Sequence, residues 1–132
     1  MIDSEHMVAS WFLWLSAGGF LLVYVLPLLF APLAWARIFR WDLPEDTRLT
    51  LYFARCTGVL AAAITLFAMR AASQPAAHRY VFEIIFTACA GMTLLHIYGA
   101  VRRVQPWTED AEILLYGGIT VVSWFILGTL PG

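Results

Sequence analysis

ASWFLWLSAGGFLLVYVLPLLFAPLAWA, residues 9–36, is the stretch that decides the fold. It contains no Asp, Glu, His, Lys or Arg, and it is longer than the roughly 20 apolar residues that a helix needs to cross a bilayer. Three further apolar stretches follow at about residues 49–69, 81–101 and 111–130. The sequence therefore predicts an all-α, four-helix transmembrane bundle in which residues 1–132 form a single integral membrane domain.

The composition agrees with a protein that lives in lipid. Apolar residues make up 61% of the chain, more than the roughly 45–50% of a soluble domain. The net charge of −1 excludes the basic footprint of a nucleic-acid-binding protein. The two cysteines, Cys56 and Cys89, lie inside apolar stretches, so we expect buried thiols and no disulfide framework.

Arginine is the only basic residue apart from histidine, and its distribution predicts the orientation. The first and third loops hold five arginines and the second loop holds two. These are Arg37, Arg40, Arg48, Arg102 and Arg103 in the first group, and Arg70 and Arg79 in the second. By the positive-inside rule both termini lie outside, which gives an up-down-up-down, N-out/C-out bundle. We expect the membrane to be a bacterial inner membrane.

The second apolar stretch carries small residues at four-residue spacing. Ala54, Gly58 and Ala62 form a stripe that lets another helix approach closely. The stripe predicts packing inside the bundle or, as the alternative, contact with a second subunit. The bilayer, other membrane subunits and a homo-oligomer are therefore the expected partners.

Polar side chains at membrane depth are the best functional clues, because burying them is costly. Arg55, His96 and Glu112 are predicted to lie in one layer near the cytoplasmic side, with Tyr116 one turn beyond Glu112. Together they could line a pocket for a small anionic or quinone-like head group or a lipid. The alternative is that Arg55 reaches the lipid phosphates while Glu112 stabilises a helix start.

The fourth stretch has a polar face and a helix start signal. Glu112, Tyr116, Thr120 and Ser123 are spaced four, four and three residues apart, so they share one face that should point into the bundle. Thr108 is the predicted N-cap of this helix.

Glu83 allows two interpretations. It lies four residues after Arg79, so the two can form an ion pair near a helix start. Alternatively, Glu83 is an acid that couples proton movement to transport.

No metal site is predicted. Cys89, Met92 and His96 line one helix face, but they extend over about 10 Å of rise, too far for one ion to contact all three. A haem held by two histidines is disfavoured as well, since His96 is the only histidine inside an apolar stretch.

The segment LYFARCTGVLAAAITLFA, residues 51–68, has an arginine followed closely by Gly58 and an alanine-rich run. It resembles the small four-helix membrane proteins grouped as DoxX-like. The resemblance implies a four-helix membrane fold and a quinone-linked or accessory-subunit role. It covers span two alone and carries no active-site residue over to this chain.

Three functions remain open at this stage, and whether the protein is an enzyme is undecided. The first is a non-catalytic accessory or assembly subunit of a larger membrane complex. The second is a quinone- or lipid-binding redox component, and the third is a proton-coupled transporter. No catalytic sequence motif distinguishes them.

Overall fold

The computed structural model describes residues 1–131, and these residues form helices and no strand. The helices are α1 (Met7–Phe20), α2 (Leu26–Phe30), α3 (Pro32–Ile38), α4 (Arg48–Ala71), α5 (Arg79–Arg102) and α6 (Trp107–Thr129). A π-helical segment, Leu21–Val25, joins α1 to α2, and a short 3-10 turn, Ala76–His78, precedes α5.

Four helical segments are long and apolar enough to cross a membrane. They are Met7–Phe30, Arg48–Ala71, Ala76–Arg102 and Trp107–Thr129. The predicted all-helical membrane architecture is therefore confirmed at this level. The up-down-up-down course and the N-out/C-out orientation remain predictions.

The first segment ends earlier than the predicted residue 36. Ala31 leaves the helical conformation (φ −140°, ψ 48°), and Pro32 then starts the separate helix α3. Upstream, Pro27 has no N–H to donate to the carbonyl of Val23, four residues earlier. The indole Nε1 of Trp35 donates to that carbonyl at 2.7 Å, so α3 folds back along the end of the first segment.

Helices α5 and α6 lie side by side in opposite directions. Arg79 at the start of α5 donates from Nη1 to the carbonyls of Leu127 (2.8 Å) and Leu130 (3.0 Å) at the end of α6. Carbonyls at the end of a helix have no backbone N–H one turn later to bond to, so the Arg79 guanidinium serves as their donor. At the other end of the pair, the last turns of α5 lie beside the first turns of α6.

The apolar core gathers residues from all four long segments. Leu13 of α1, Ala71 of α4 and Phe82 of α5 are almost completely buried, and Ile126 of α6 joins them. Much of the remaining helix surface exposes large apolar side chains, as expected of a surface that faces lipid. Both thiols, Cys56 and Cys89, are free.

The small-residue stripe of α4 brings that helix close to α2. Gly58 is buried, and a Cβ built there would lie 3.0 Å from Leu29 Cγ and 3.2 Å from Leu28 Cβ. Ala54 and Ala62 are half-buried. Gly58 thus serves packing inside the bundle, and contact of this stripe with a second subunit remains a prediction.

The predicted N-cap of α6 was wrong. Pro106 is the N-cap, and the hydroxyl of Thr108 in the first turn donates to the carbonyl of Phe39 at the end of α3. The Thr108 hydroxyl therefore holds α3 against α6 and does not cap the helix.

Candidate ligand-binding site

His96 is held by its own helix. Its Nδ1 lies 2.7 Å from the carbonyl oxygen of Met92, one turn earlier in α5. A carbonyl only accepts, so Nδ1 carries the hydrogen and the imidazole is fixed in one orientation. The other ring nitrogen, Nε2, is therefore directed from α5 towards α6.

Two glutamates of α6 meet this nitrogen. Glu109 and Glu112 are three residues apart and share one face of the helix. Nε2 of His96 lies 3.1 Å from Glu109 Oε2 and 3.4 Å from Glu112 Oε2. The three side chains are only 5%, 8% and 7% exposed. They form the acid–histidine centre, by which we mean His96, Glu109 and Glu112.

Each glutamate has its second oxygen bound by a donor from elsewhere in the chain. The hydroxyl of Tyr24 donates to Glu112 Oε1 at 2.7 Å, and Trp41 Nε1 donates to Glu109 Oε1 at 2.7 Å. Tyr24 belongs to the π-helical segment, a kind of irregularity that is frequent at functional sites. Both carboxylates are thus oriented so that Oε2 faces the imidazole.

Trp41 reaches Glu109 because of the turn that ends α3. Arg40 adopts a left-handed conformation (φ 62°), and Trp41 N donates to the Ala36 carbonyl at 2.9 Å. The Arg40 guanidinium lies 5.4 Å from the ring centre of Trp107, where a cation–π contact is favourable. This turn holds the indole in place against α6.

The hydrogen bond between His96 and Glu109 requires one proton between them. Either an imidazolium faces two carboxylates, or a neutral imidazole accepts from one protonated glutamate. Both states carry one net negative charge. Within residues 1–131 no arginine forms an ion pair with the centre. The geometry therefore places one shared proton in the centre, inside the bundle.

The turn between α5 and α6 is held by hydrogen bonds next to the acid–histidine centre. The side chain of Gln105 donates from Nε2 to the His96 carbonyl (3.1 Å) and to Asp110 Oδ1 (2.8 Å). Arg103 is left-handed (φ 53°), which lets Val104 N donate to the Gly99 carbonyl at 3.1 Å. These bonds join the two helices that carry the acid–histidine centre.

An apolar cavity of about 260 Å³ adjoins the centre. It lies between α1, α2, α4, α5 and α6, and its wall is apolar except for a few hydroxyl groups and the Cys89 thiol. Tyr24, Met92 and Tyr116 belong to this wall. Each of them also contacts the centre. Tyr24 donates to Glu112, the Met92 carbonyl accepts from His96, and the rings of Tyr116 and His96 are 5.2 Å apart. The cavity and the acid–histidine centre therefore share a boundary.

The structure brings together three of the four predicted pocket residues. His96, Glu112 and Tyr116 are buried side by side, and the polar face of α6 points inward as expected. Arg55 is exposed on the outside of α4, beside Arg48 and Cys56 in a surface groove. Arg55 is near the start of its helix, so the guanidinium can reach the membrane surface and need not be buried.

Three residues of the site were missed. Glu109 could have been found, because it lies three residues before Glu112 and shares a helix face with it. Tyr24 gave a weaker signal as a polar group inside the first apolar stretch. Trp41 gave none, because the bend after Phe30 is needed to bring the indole to α6.

Glu83 takes no part in the centre. Arg79 Nε lies 3.3 Å from Glu83 Oε1, and the Glu83 side chain is 57% exposed. The predicted ion pair is confirmed. Glu112 is therefore the better placed of the two acids for any proton movement inside the bundle.

No protein-family model, curated protein or solved structure matches this chain. Any functional assignment therefore depends on the site itself.

Proposed function

We propose that the protein binds a lipophilic molecule with a hydrogen-bonding head group, of the quinone class, in the apolar cavity. The head group exchanges a proton with the acid–histidine centre through the Tyr24–Glu112 end of the cavity. The observation that carries the proposal is the shared wall, in which Tyr24 both lines the cavity and donates to Glu112. The function is that of a quinone- or lipid-binding component of a membrane redox system.

The chemistry of the two neighbours is complementary. A largely apolar cavity with a few convergent polar groups is the usual form of a small-molecule site. At about 260 Å³ it has room for a ring and the first part of an isoprenoid tail, and the tail would continue into lipid. The imidazole and the two carboxylates can hold a proton, and the Glu112 carboxylate, bonded to the Tyr24 hydroxyl, supplies the relay to the cavity.

The test fills the cavity without touching the centre. Ala61 lines the cavity from α4, whereas Ala63, two residues on, is exposed and lies outside it. Binding of a short-chain benzoquinone is measured by tryptophan fluorescence in detergent. We expect Ala61→Phe to weaken binding at least tenfold and Ala63→Phe to leave it unchanged. Equal binding by both variants would remove the cavity as the ligand site.

The accessory or assembly subunit, the first function considered from the sequence, is the second candidate here. The surface groove on α4 supports it. Arg55 is exposed in this groove, within a helical segment that is apolar enough to span a membrane. A carboxylate of a partner helix would reduce the cost of that cation. Extraction in a mild detergent should then yield a larger particle that Arg55→Ala disrupts. A monodisperse single chain in both forms would count against it.

Proton-coupled transport is a third candidate and would use Glu112, the buried acid, in a transport cycle. Uptake into proteoliposomes that is independent of a pH gradient would argue against it.

A further inference from the structure

We propose that His96, Glu109 and Glu112 bind one divalent first-row transition-metal ion, of the Mn²⁺, Fe²⁺ or Zn²⁺ type. The donors are His96 Nε2 and the Oε2 atoms of the two glutamates. The proposal does not depend on quinone binding, because the ion and the proton shared by His96 and Glu109 are alternative occupants of the centre. It departs from the sequence analysis, which considered only the residues along one helix and predicted no metal site.

The first argument is the spacing of the donor atoms. One donor atom from each residue lies within 4.8 Å of the other two. Ligands about 2.1 Å from an ion are about 3.0 Å apart at right angles and about 3.4 Å apart in a tetrahedron. The two distances from His96 Nε2, 3.1 Å and 3.4 Å, fall at these values. The two carboxylate oxygens lie within 4.8 Å of each other and would have to approach to complete a three-ligand face.

The second argument is that every donor residue is oriented from behind. Histidines that bind metals usually donate their other ring N–H to a carbonyl or carboxylate, and ligating carboxylates are hydrogen-bonded in turn. Here Nδ1 donates to Met92, Tyr24 donates to Glu112 Oε1, and Trp41 donates to Glu109 Oε1. These three bonds come from outside the cluster and leave one donor atom of each residue directed inward.

The third argument is charge. Two buried carboxylates and a neutral imidazole carry two negative charges, and a divalent ion brings the total to zero. With one shared proton the same centre keeps one net negative charge, although each of its three side chains is less than one-tenth exposed. Low-dielectric surroundings penalise that charge, so a divalent cation compensates the centre better than one proton.

The nature of the donors selects the ion. Carboxylates suit Mn²⁺ and other hard ions, while imidazole suits Zn²⁺ and Fe²⁺. A mixed set without thiolate favours these three ions over Cu⁺. Cys89 is not one of the donors, although it also lies in the cavity wall.

The test measures metal bound to the full-length protein in detergent. The purified chain is treated with a chelator and titrated separately with Zn²⁺ and Mn²⁺ by calorimetry, with elemental analysis after gel filtration. We expect about one ion per chain for at least one of the two metals. Glu109→Gln should weaken binding at least a hundredfold, and Glu83→Gln, an exposed glutamate of α5, should leave it unchanged.

A second variant tests the orienting bonds while keeping all three donor residues. Trp41→Phe removes the indole donor to Glu109. It should weaken metal binding about 10- to 100-fold, as the loss of a hydrogen bond to a metal ligand does in other metal sites. Helicity by circular dichroism confirms that each variant is folded.

A measurement on the unaltered protein keeps the proposal falsifiable if the variants fail to fold. The two metal titrations of the unaltered chain need no substitution, and at least one should saturate at about one ion per chain. No uptake of either ion, or equal uptake by Glu109→Gln and Glu83→Gln, would overturn the metal site.

Failure of this site can be told apart from failure of the proposed function. Ala61→Phe tests the cavity and should leave the metal titration unchanged, because Ala61 lies outside the donor set.

Discussion

The hydroxyl of Tyr24 donates a 2.7 Å hydrogen bond to Glu112 Oε1, and the two residues are 88 positions apart in the chain. This bond links the π-helical segment after α1 to the first turns of α6. It holds the carboxylate in place and makes one side chain part of both the cavity wall and the acid–histidine centre.

Tyr24→Phe should destabilise the protein by about 1 kcal/mol, because a buried carboxylate oxygen loses its donor. Thermal unfolding in detergent, followed by intrinsic fluorescence, measures the change. Tyr52→Phe is the matched control, since Tyr52 is exposed on α4. Identical melting temperatures for the two variants would mean that the Tyr24–Glu112 bond contributes nothing to stability.

Gly58 and Gly91 should respond oppositely to alanine. A Cβ at Gly58 would meet Leu28 and Leu29 at 3.0–3.2 Å, whereas a Cβ at Gly91 has nothing within 4 Å. Gly58→Ala should therefore lower the melting temperature. Gly91→Ala should raise the melting temperature, because alanine is more favourable than glycine in a helix interior by up to about 1 kcal/mol. A rise in both variants would contradict the close packing of α4 on α2.

Gly99→Ala should loosen the turn below the site. A Cβ there would overlap the carboxamide of Gln105, which bonds to the His96 carbonyl and to Asp110. The side chain can swing away, so we expect a folded protein that has lost two hydrogen bonds, about 1–2 kcal/mol. Hydrogen exchange should become faster at residues 103–105 and stay unchanged at Arg79. Unaltered exchange in the turn would refute this account of Gly99.

Arg79 should matter more for stability than its partner Glu83. Arg79→Gln removes the donors to the Leu127 and Leu130 carbonyls as well as the ion pair. Glu83→Gln removes only an exposed pair, which contributes about 0–1 kcal/mol. Thermal unfolding and hydrogen exchange at the end of α6 should show the larger effect for Arg79→Gln. Equal effects would show that the carbonyl contacts are unimportant.

The fold was largely predictable, and the site was predictable in part. Long apolar stretches with few charges define membrane helices by length alone, so the four segments were found to within a few residues, except where Ala31 and Pro32 end the first one. His96, Glu112 and Tyr116 could be grouped because neighbouring helices bring polar residues of similar depth together.

The spacing of polar and apolar residues did not determine how each helix is rotated about its axis. Arg55 is predicted to share a layer with His96 and Glu112, yet it is exposed on the outside of α4. Trp41 lies between two apolar stretches of the sequence, and the turn at Arg40 directs its indole inward to Glu109. Both outcomes depend on tertiary packing that no local spacing encodes.

The central claim is that the cavity and the acid–histidine centre act as one site, and infrared difference spectroscopy tests it most directly. Adding a short-chain benzoquinone to the purified protein should change a carboxyl or carboxylate band. That change should vanish in Glu112→Gln and persist in Glu83→Gln. A difference spectrum that is the same in Glu112→Gln as in the unaltered protein would contradict the claim.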